Sequence, residues 1–189
     1  MKTEANIETF NCGVVIFDPV VLSRFIAEQC PDGSNLFEVF VEHSDTGRMA
    51  VQSGAVVPLY PLPEDDYVFR LRDEHVSPFE RCSETVFRYT DIPLTVTSGL
   101  LMVADLHALT DWDPEFFLNY KARLPERLGN NDYLDILPGL YALSITGFSL
   151  LNEGLPRKVY ELGITAVESL PVVHDEANFH QWDFRIDRV

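Results

Sequence analysis

Two stretches of the chain run from a glycine through a short apolar block to an aspartate. The first is Gly13 to Asp18, "GVVIFD", and the second is Gly99 to Asp105, "GLLMVAD". In each an Asp-Pro pair follows, and behind it the apolar spacing changes to that of a helix: Val21, Leu22, Phe25 and Ile26 after Asp18-Pro19, and Phe116, Phe117, Tyr120 and Leu124 after Asp113-Pro114. Aspartate before proline marks a helix start, because the carboxylate caps free N–H groups and proline in the first turn needs no donor. Each unit therefore predicts a strand and then a helix.

A period-two strand follows each unit. Tyr67, Phe69 and Leu71 alternate in the first, and Tyr141, Leu143 and Ile145 alternate in the second, behind a Pro-Gly turn. The shared order suggests an internal duplication of residues 10–72 and 96–146, with 147–189 completing the sheets and 1–189 forming a single compact unit. Further strands are predicted at 36–43, before the Asp45-Thr46-Gly47 turn, at 48–60 with an interruption at Gly54, and at 84–90, 159–167 and 180–189. In the last, Trp182, Phe184 and Ile186 point one way and Asp183, Arg185 and Asp187 the other. Many short strands with Gly, Pro and Asp turns predict a mainly β (α+β) fold: two related β-rich halves with about one helix each, packed as one sandwich-like body.

Charge narrows the function classes. The chain of 189 residues carries a formal net charge of −16, divided as −9 over 1–97 and −7 over 98–189, so acidity belongs to the whole surface. Such a surface repels phosphate backbones and anionic membranes and attracts basic partners, which excludes direct nucleic-acid binding and leaves plain solubility as the rival explanation. The opening "MKTEANIETF" lacks a signal-peptide core, and no apolar run reaches the roughly 18 residues of a membrane span. The expected location is cytoplasmic. Cys12, Cys30 and Cys82 are widely spaced and lack a C-x-x-C pattern, so they read as reduced structural thiols.

Chemistry is sparse. Asp105, His107, Asp111 and Asp113 hold three carboxylates and an imidazole, a divalent metal would accept two carboxylates and an imidazole, and Asp105 and His107 share a face if that stretch stays extended. Yet Asp18 holds the matching place in the first unit without a histidine nearby, and Asp113 is accounted for by capping. A metal-dependent hydrolase on Asp105 and His107 is the alternative reading, and no metal or cofactor is expected. His174, Asp175, Glu176 and His180 match neither a zincin helix nor a zinc finger, and His43 and His75 read as surface groups beside acids. No G-x-S-x-G, activated cysteine, G-x-G-x-x-G or Walker A occurs, so no catalytic residue is assigned and the chain is not expected to be an enzyme.

What remains is surface. Glu64, Asp65 and Asp66 precede Tyr67, and Trp112 stands among Asp111, Asp113 and Glu115. Aromatic rings framed by carboxylates suit contact with a basic protein, the ring as anchor and the acids as steering charges. These eight residues are the candidate partner-binding set, and each stretch also reads as a turn around a half-buried ring.

The Gly-apolar-Asp strands, the "IFDP" step into a helix and the Pro-Gly-Leu-Tyr strand resemble small bacterial families of unassigned domains found beside polymorphic toxins and type VI secretion effectors. The resemblance runs in outline from Gly13 to Ile145. It implies a cognate immunity protein that plugs its toxin and has no catalytic residues of its own. Because a toxin acting on nucleic acid must be basic at its active face, the strong negative charge points to a nuclease-type partner.

Overall fold

The computed structural model describes residues 1–30, 35–72, 84–150, 157–173 and 182–186. Two sheets face one another. The first has five strands: β1 (Glu4–Glu8), β4 (Asp66–Leu71), β9 (Arg157–Ala166), β8 (Gly139–Leu150) and β5 (Glu84–Val96), in that spatial order. The second has four: β3 (Val57–Leu59), β2 (Val14–Phe17), β6 (Leu100–Asp105) and β7 (Asn131–Asp135). All neighbours are antiparallel except β4 and β9.

The burial pattern shows why β2 and β6 read as unbroken apolar blocks. Alternate residues Val14, Ile16, Leu101 and Val103 enter the core between the sheets, against Tyr67, Phe69, Leu143, Ile145 and Tyr160. The intervening Val15, Phe17, Met102 and Ala104 face the other way, into a second core under the helices. A strand covered on both faces has no polar side to display. The body is thus mainly β, with the helices packed on one face of the smaller sheet.

Helix α1 (Pro19–Gln29) begins as expected, with Asp18 accepting hydrogen bonds from the Val20 and Val21 amides. The next segments depart from the expectation. Residues predicted as a strand at 36–43 form helix α2 (Leu36–Glu42), and of the predicted 48–60 the first part, through Gln52, lies in α3 (Ser44–Gln52), which leaves β3 as the strand. Asn35 explains the first change: its side-chain oxygen accepts from the Glu38 amide, an N-cap that the apparent alternation of "LFEVFVE" concealed. Asp45-Thr46-Gly47 is the first turn of α3, where Gly47 lets the helix approach α2, since a Cβ there would lie 2.5 Å from the Phe40 carbonyl oxygen. Gly54, with φ of +68°, ends the α3 region rather than interrupting a strand.

The second unit holds two short helices, α4 (His107–Thr110) and α5 (Pro114–Leu118), so the helix expected to reach Leu124 stops early and a 3-10 turn covers Leu124–Glu126. With three helices before β3 and two after β6, the expected single helix per half is corrected. Strands β4, β5, β8 and β9 lie where alternation placed them, while β1 and β7 had no sequence expectation. Residues 182–186 lie outside both sheets, yet their alternation is real: Phe184 and Ile186 are buried in the inter-sheet core and Arg185 is exposed. The rest of the predicted 180–189 strand, His75, Cys82, and the His174 to His180 cluster lie outside the described residues.

The two similar strands are sheet neighbours. β2 and β6 pair antiparallel, Val14 opposite Asp105 and Phe17 opposite Met102, and each ends in a fully buried aspartate. Asp18 Oδ2 accepts from the Thr97 and Ser98 amides at 2.8 and 2.7 Å and from Ser98 Oγ at 2.8 Å, on the segment leading into β6. Asp105 Oδ2 accepts from the Phe10 amide at 3.3 Å, on the segment leading into β2. Each aspartate therefore ends its own strand and fastens the entrance of the other.

Candidate functional site

Asp105 also stands at the foot of a groove. Its floor is the end of β6 and the start of β7, and its walls are α4 and α5 on one side and residues 126–128 on the other. The groove encloses about 200 Å³ and is lined by Asp105, His107, Asp111, Asp113, Glu126 and Leu128, together with apolar atoms of Ala104, Ala108, Phe116 and Phe117. Four carboxylates and an imidazole thus share one cleft, of which Glu126 had no place in the sequence expectation.

The floor is rigid. Asp105 Oδ1 accepts from the His107 amide at 3.0 Å and from Asn130 Nδ2 at 3.2 Å. Asn131 Nδ2 donates to Asn130 Oδ1 at 2.9 Å, and the buried Tyr120 hydroxyl donates to Asn131 Oδ1 at 2.8 Å. Burial pushes the Asp105 carboxyl above its ordinary value, and the Phe10 and His107 amides oppose that shift. Desolvation likewise pushes the Tyr120 hydroxyl well above the usual phenol range.

Both Asp105 oxygens are thus engaged by N–H donors, and the His107 ring turns to Thr110, with Nδ1 at 3.2 Å from the Thr110 hydroxyl. Among the described residues no three His, Cys, Asp or Glu side chains are grouped to hold a metal. The cleft brings Asp105, His107, Asp111 and Asp113 together without presenting a ligand set.

The expected partner-binding residues divide. Asp111, Asp113 and Glu115 are exposed; Asp113 caps α5 through the Phe116 amide at 2.9 Å and lies 3.9 Å from Arg123, which also pairs with Glu126 at 2.6 Å. Trp112 is half-buried, stacked on Phe117 at 5.2 Å and edge-on to Phe17 at 5.6 Å, so its ring supports the wall from behind. Glu64, Asp65 and Asp66 are exposed, but Tyr67 is only 1% exposed and its hydroxyl donates to the Pro63 carbonyl at 2.7 Å. Its ring belongs to the core, and the expectation of a surface anchor there is corrected: position 67 is the first inward residue of β4.

Asp65 pairs with Lys158 at 2.5 Å, and that hydrogen bond lowers its carboxyl below the ordinary value.

One strap, residues 8–12, is bonded both to the 64–66 stretch and to Asp105 at the foot of the groove. The Thr9 amide donates to the Asp65 carbonyl at 3.0 Å, the Glu8 amide to the Gly129 carbonyl at 2.9 Å, and the Phe10 amide to Asp105. Phe10, 55% exposed, sits on this strap, and Leu128, 66% exposed, lines the groove. No sequence reasoning singled out either residue. A large apolar side chain inside a polar run, "ETFNC" or "RLGNN", is the only signal they give.

Asp105 makes an acid-range prediction. A carboxyl raised on folding means that the native state holds more protons than the unfolded one between the two pKa values, so its contribution falls as pH rises through that window and is greatest below it. Asp65 and Asp135, both lowered by lysine partners, contribute in the opposite sense and are lost on acidification. Asp105→Asn is therefore expected to lose stability more steeply than the parent as pH falls through the carboxylate range. Urea midpoints of both proteins across that range measure the slopes, and parallel slopes would contradict the buried-carboxyl account.

No family model and no curated protein sequence matches the chain. Among solved structures, the crystal structure of ComJ, described as an inhibitor of the DNA degrading activity of NucA, from Bacillus subtilis, is similar over 87% of this chain and 95% of that one, with a TM-score of 0.45 and 10% identity.

Proposed function

We propose that this chain is an immunity-type, antitoxin-like binding protein that neutralises a basic protein toxin, of the nuclease kind that accompanies polymorphic toxin or type VI secretion systems, by covering its active face. The observation that carries the reading is the gathering of Asp111, Asp113 and Glu126 in one groove and of Glu64, Asp65 and Asp66 across the adjoining strap, on a chain of net charge −16. A nuclease must present cations to phosphate, and an array of carboxylates on a rigid floor can take the place of that phosphate. The acidic partner then needs no chemistry of its own, only a shape that excludes the substrate.

The carboxylates that gather in the groove also favour, in part, the metal-dependent hydrolase reading. Its weak point is Asp105, whose oxygens are engaged by three N–H donors. Elemental analysis separates the two: stoichiometric zinc, manganese or iron lost on changing Asp105 and His107 to Ala supports the hydrolase and counts against the inhibitor. For the inhibitor reading the direct test is affinity capture from the native host at low and high salt. A basic protein that is retained at low salt, and that arrests growth when expressed alone, is the expected result. Recovery of no such protein under either condition counts against it.

A further inference from the structure

We propose that Phe10 and Leu128 are the apolar anchors of the docking surface, and that its occupant is an arginine- or lysine-bearing loop of the basic partner, with the cation in the groove and its apolar flank on these two side chains. This inference rests on the basic-partner reading and adds to it the residues that hold the partner.

Three observations converge on this surface. First, the two side chains are large and strongly exposed on adjoining segments: Leu128 lines the groove, the Phe10 backbone is bonded to Asp105 at its foot, and the Glu8 amide on the same strap donates to the Gly129 carbonyl beside Leu128. Isolated exposed apolar residues are ordinary, but apolar groups at a cleft mouth edged by charge reproduce the layout of an interface, with its anchor inside a polar rim. Second, the strap that carries Phe10 is fixed before any partner arrives, through the Glu8, Thr9 and Phe10 amides and through the Leu62 amide, which donates to the Cys12 carbonyl at 3.1 Å. A preformed anchor loses little conformational freedom on binding. Third, charge selects the occupant. The groove presents Asp111 together with Asp113 and Glu126, three carboxylates against the single Arg123 that the latter two share, and a second copy of this chain would bring another −16 to the same surface. A cationic loop meets both the carboxylates and the apolar pair, whereas another copy would be repelled.

The groove and strap also account for the expectation that failed. Of the two acid-flanked aromatics, Tyr67 belongs to the core and Trp112 is half-buried against Phe117. The strongly exposed apolar side chains beside them in the fold are Phe10 on the strap, whose Thr9 amide is bonded to Asp65, and Leu128 in the groove.

The test uses the full chain, labelled with ¹⁵N, and two synthetic hexapeptide amides of equal charge, one alternating arginine with leucine and one alternating arginine with glycine. At low salt the arginine-leucine peptide is expected to bind about tenfold more tightly, since one well-packed apolar anchor is worth that much. Amide shifts should centre on Phe10, Asp111, Glu126 and Leu128. The pair Phe10→Ser and Leu128→Ser should abolish the preference, while Leu137→Ser, an equally exposed leucine in the loop before β8, should leave it intact. Equal binding of both peptides, with shifts spread over the acidic surface, overturns the anchors and leaves the basic-partner reading standing. Failure of both peptides to bind at low salt overturns both. Self-association in sedimentation that the double variant removes would assign the surface to a second copy and likewise overturn the proposal.

Discussion

Asp18→Ala should cost about 2 to 5 kcal/mol of stability, from the loss of an N-cap worth roughly 0.5 to 2 kcal/mol and of the charge-assisted hydrogen bonds that tie the buried carboxylate to Thr97 and Ser98, worth about 1.5 to 3 kcal/mol. The carboxylate is fully buried and accepts five hydrogen bonds, from the Val20, Val21, Thr97 and Ser98 amides and the Ser98 hydroxyl. These bonds tie the start of α1 to the entrance of β6 through one side chain. Since whole domains are stable by roughly 5 to 15 kcal/mol, such a loss approaches the threshold of folding. Asp18→Asn should recover little, because its NH₂ group would face N–H donors. Urea unfolding followed by far-UV circular dichroism measures the loss, and a cost under about 1 kcal/mol would contradict the proposed role of this buried knot.

The second large effect is on the rate of association with the proposed basic partner. Asp66, Asp111 and Glu115 are exposed and their carboxylates make no cap hydrogen bond or close ion pair among the described residues, Glu115 adding only a longer-range attraction to Arg123, so all three can be reversed to Lys at little cost to the fold. By contrast Asp65 holds Lys158 and Asp113 caps α5, and reversing them would confound binding with stability. The triple variant should associate on the order of 10- to 100-fold more slowly at low salt, because like-signed fields at the docking face remove electrostatic steering. Raising the ionic strength should close the gap as screening shortens to about 8 to 10 Å. Reversing the exposed Glu28, Glu42 and Glu168, which are neither in the groove nor on the strap, changes the net charge equally and should slow association far less. Stopped-flow rates for the two triples decide the matter, and equal slowing would mean that net charge alone, not this face, governs encounter.

The two glycine-led apolar blocks with their aspartates were legible as strands, and Asp18 and Asp113 as caps, because local chemistry decides those elements. The strand reading of 36–43 failed because "LFEVFVE" satisfies period two and the helical i, i+3, i+4 spacing together, and only the Asn35 cap separates them. Sequence spacing also could not show that β2 and β6 are neighbours, and so could not show that each terminal aspartate fastens the other strand. For the same reason the acids of the groove were legible as a cluster at 105–113, but Glu126, Leu128 and Phe10 were not, since they arrive from β-pairing and from a strap distant in the chain. Tyr67 was misread because alternation identifies a strand before it identifies which residues face inward.

The central claim is protection. A captured basic partner should arrest growth when expressed alone, and co-expression of this chain should restore growth. The triple variant Asp66→Lys, Asp111→Lys and Glu115→Lys should restore it poorly while accumulating to the same level as the parent. Growth arrest unchanged by the parent chain, or protection equal in the parent and the triple variant, would contradict an inhibitor that works through this acidic face.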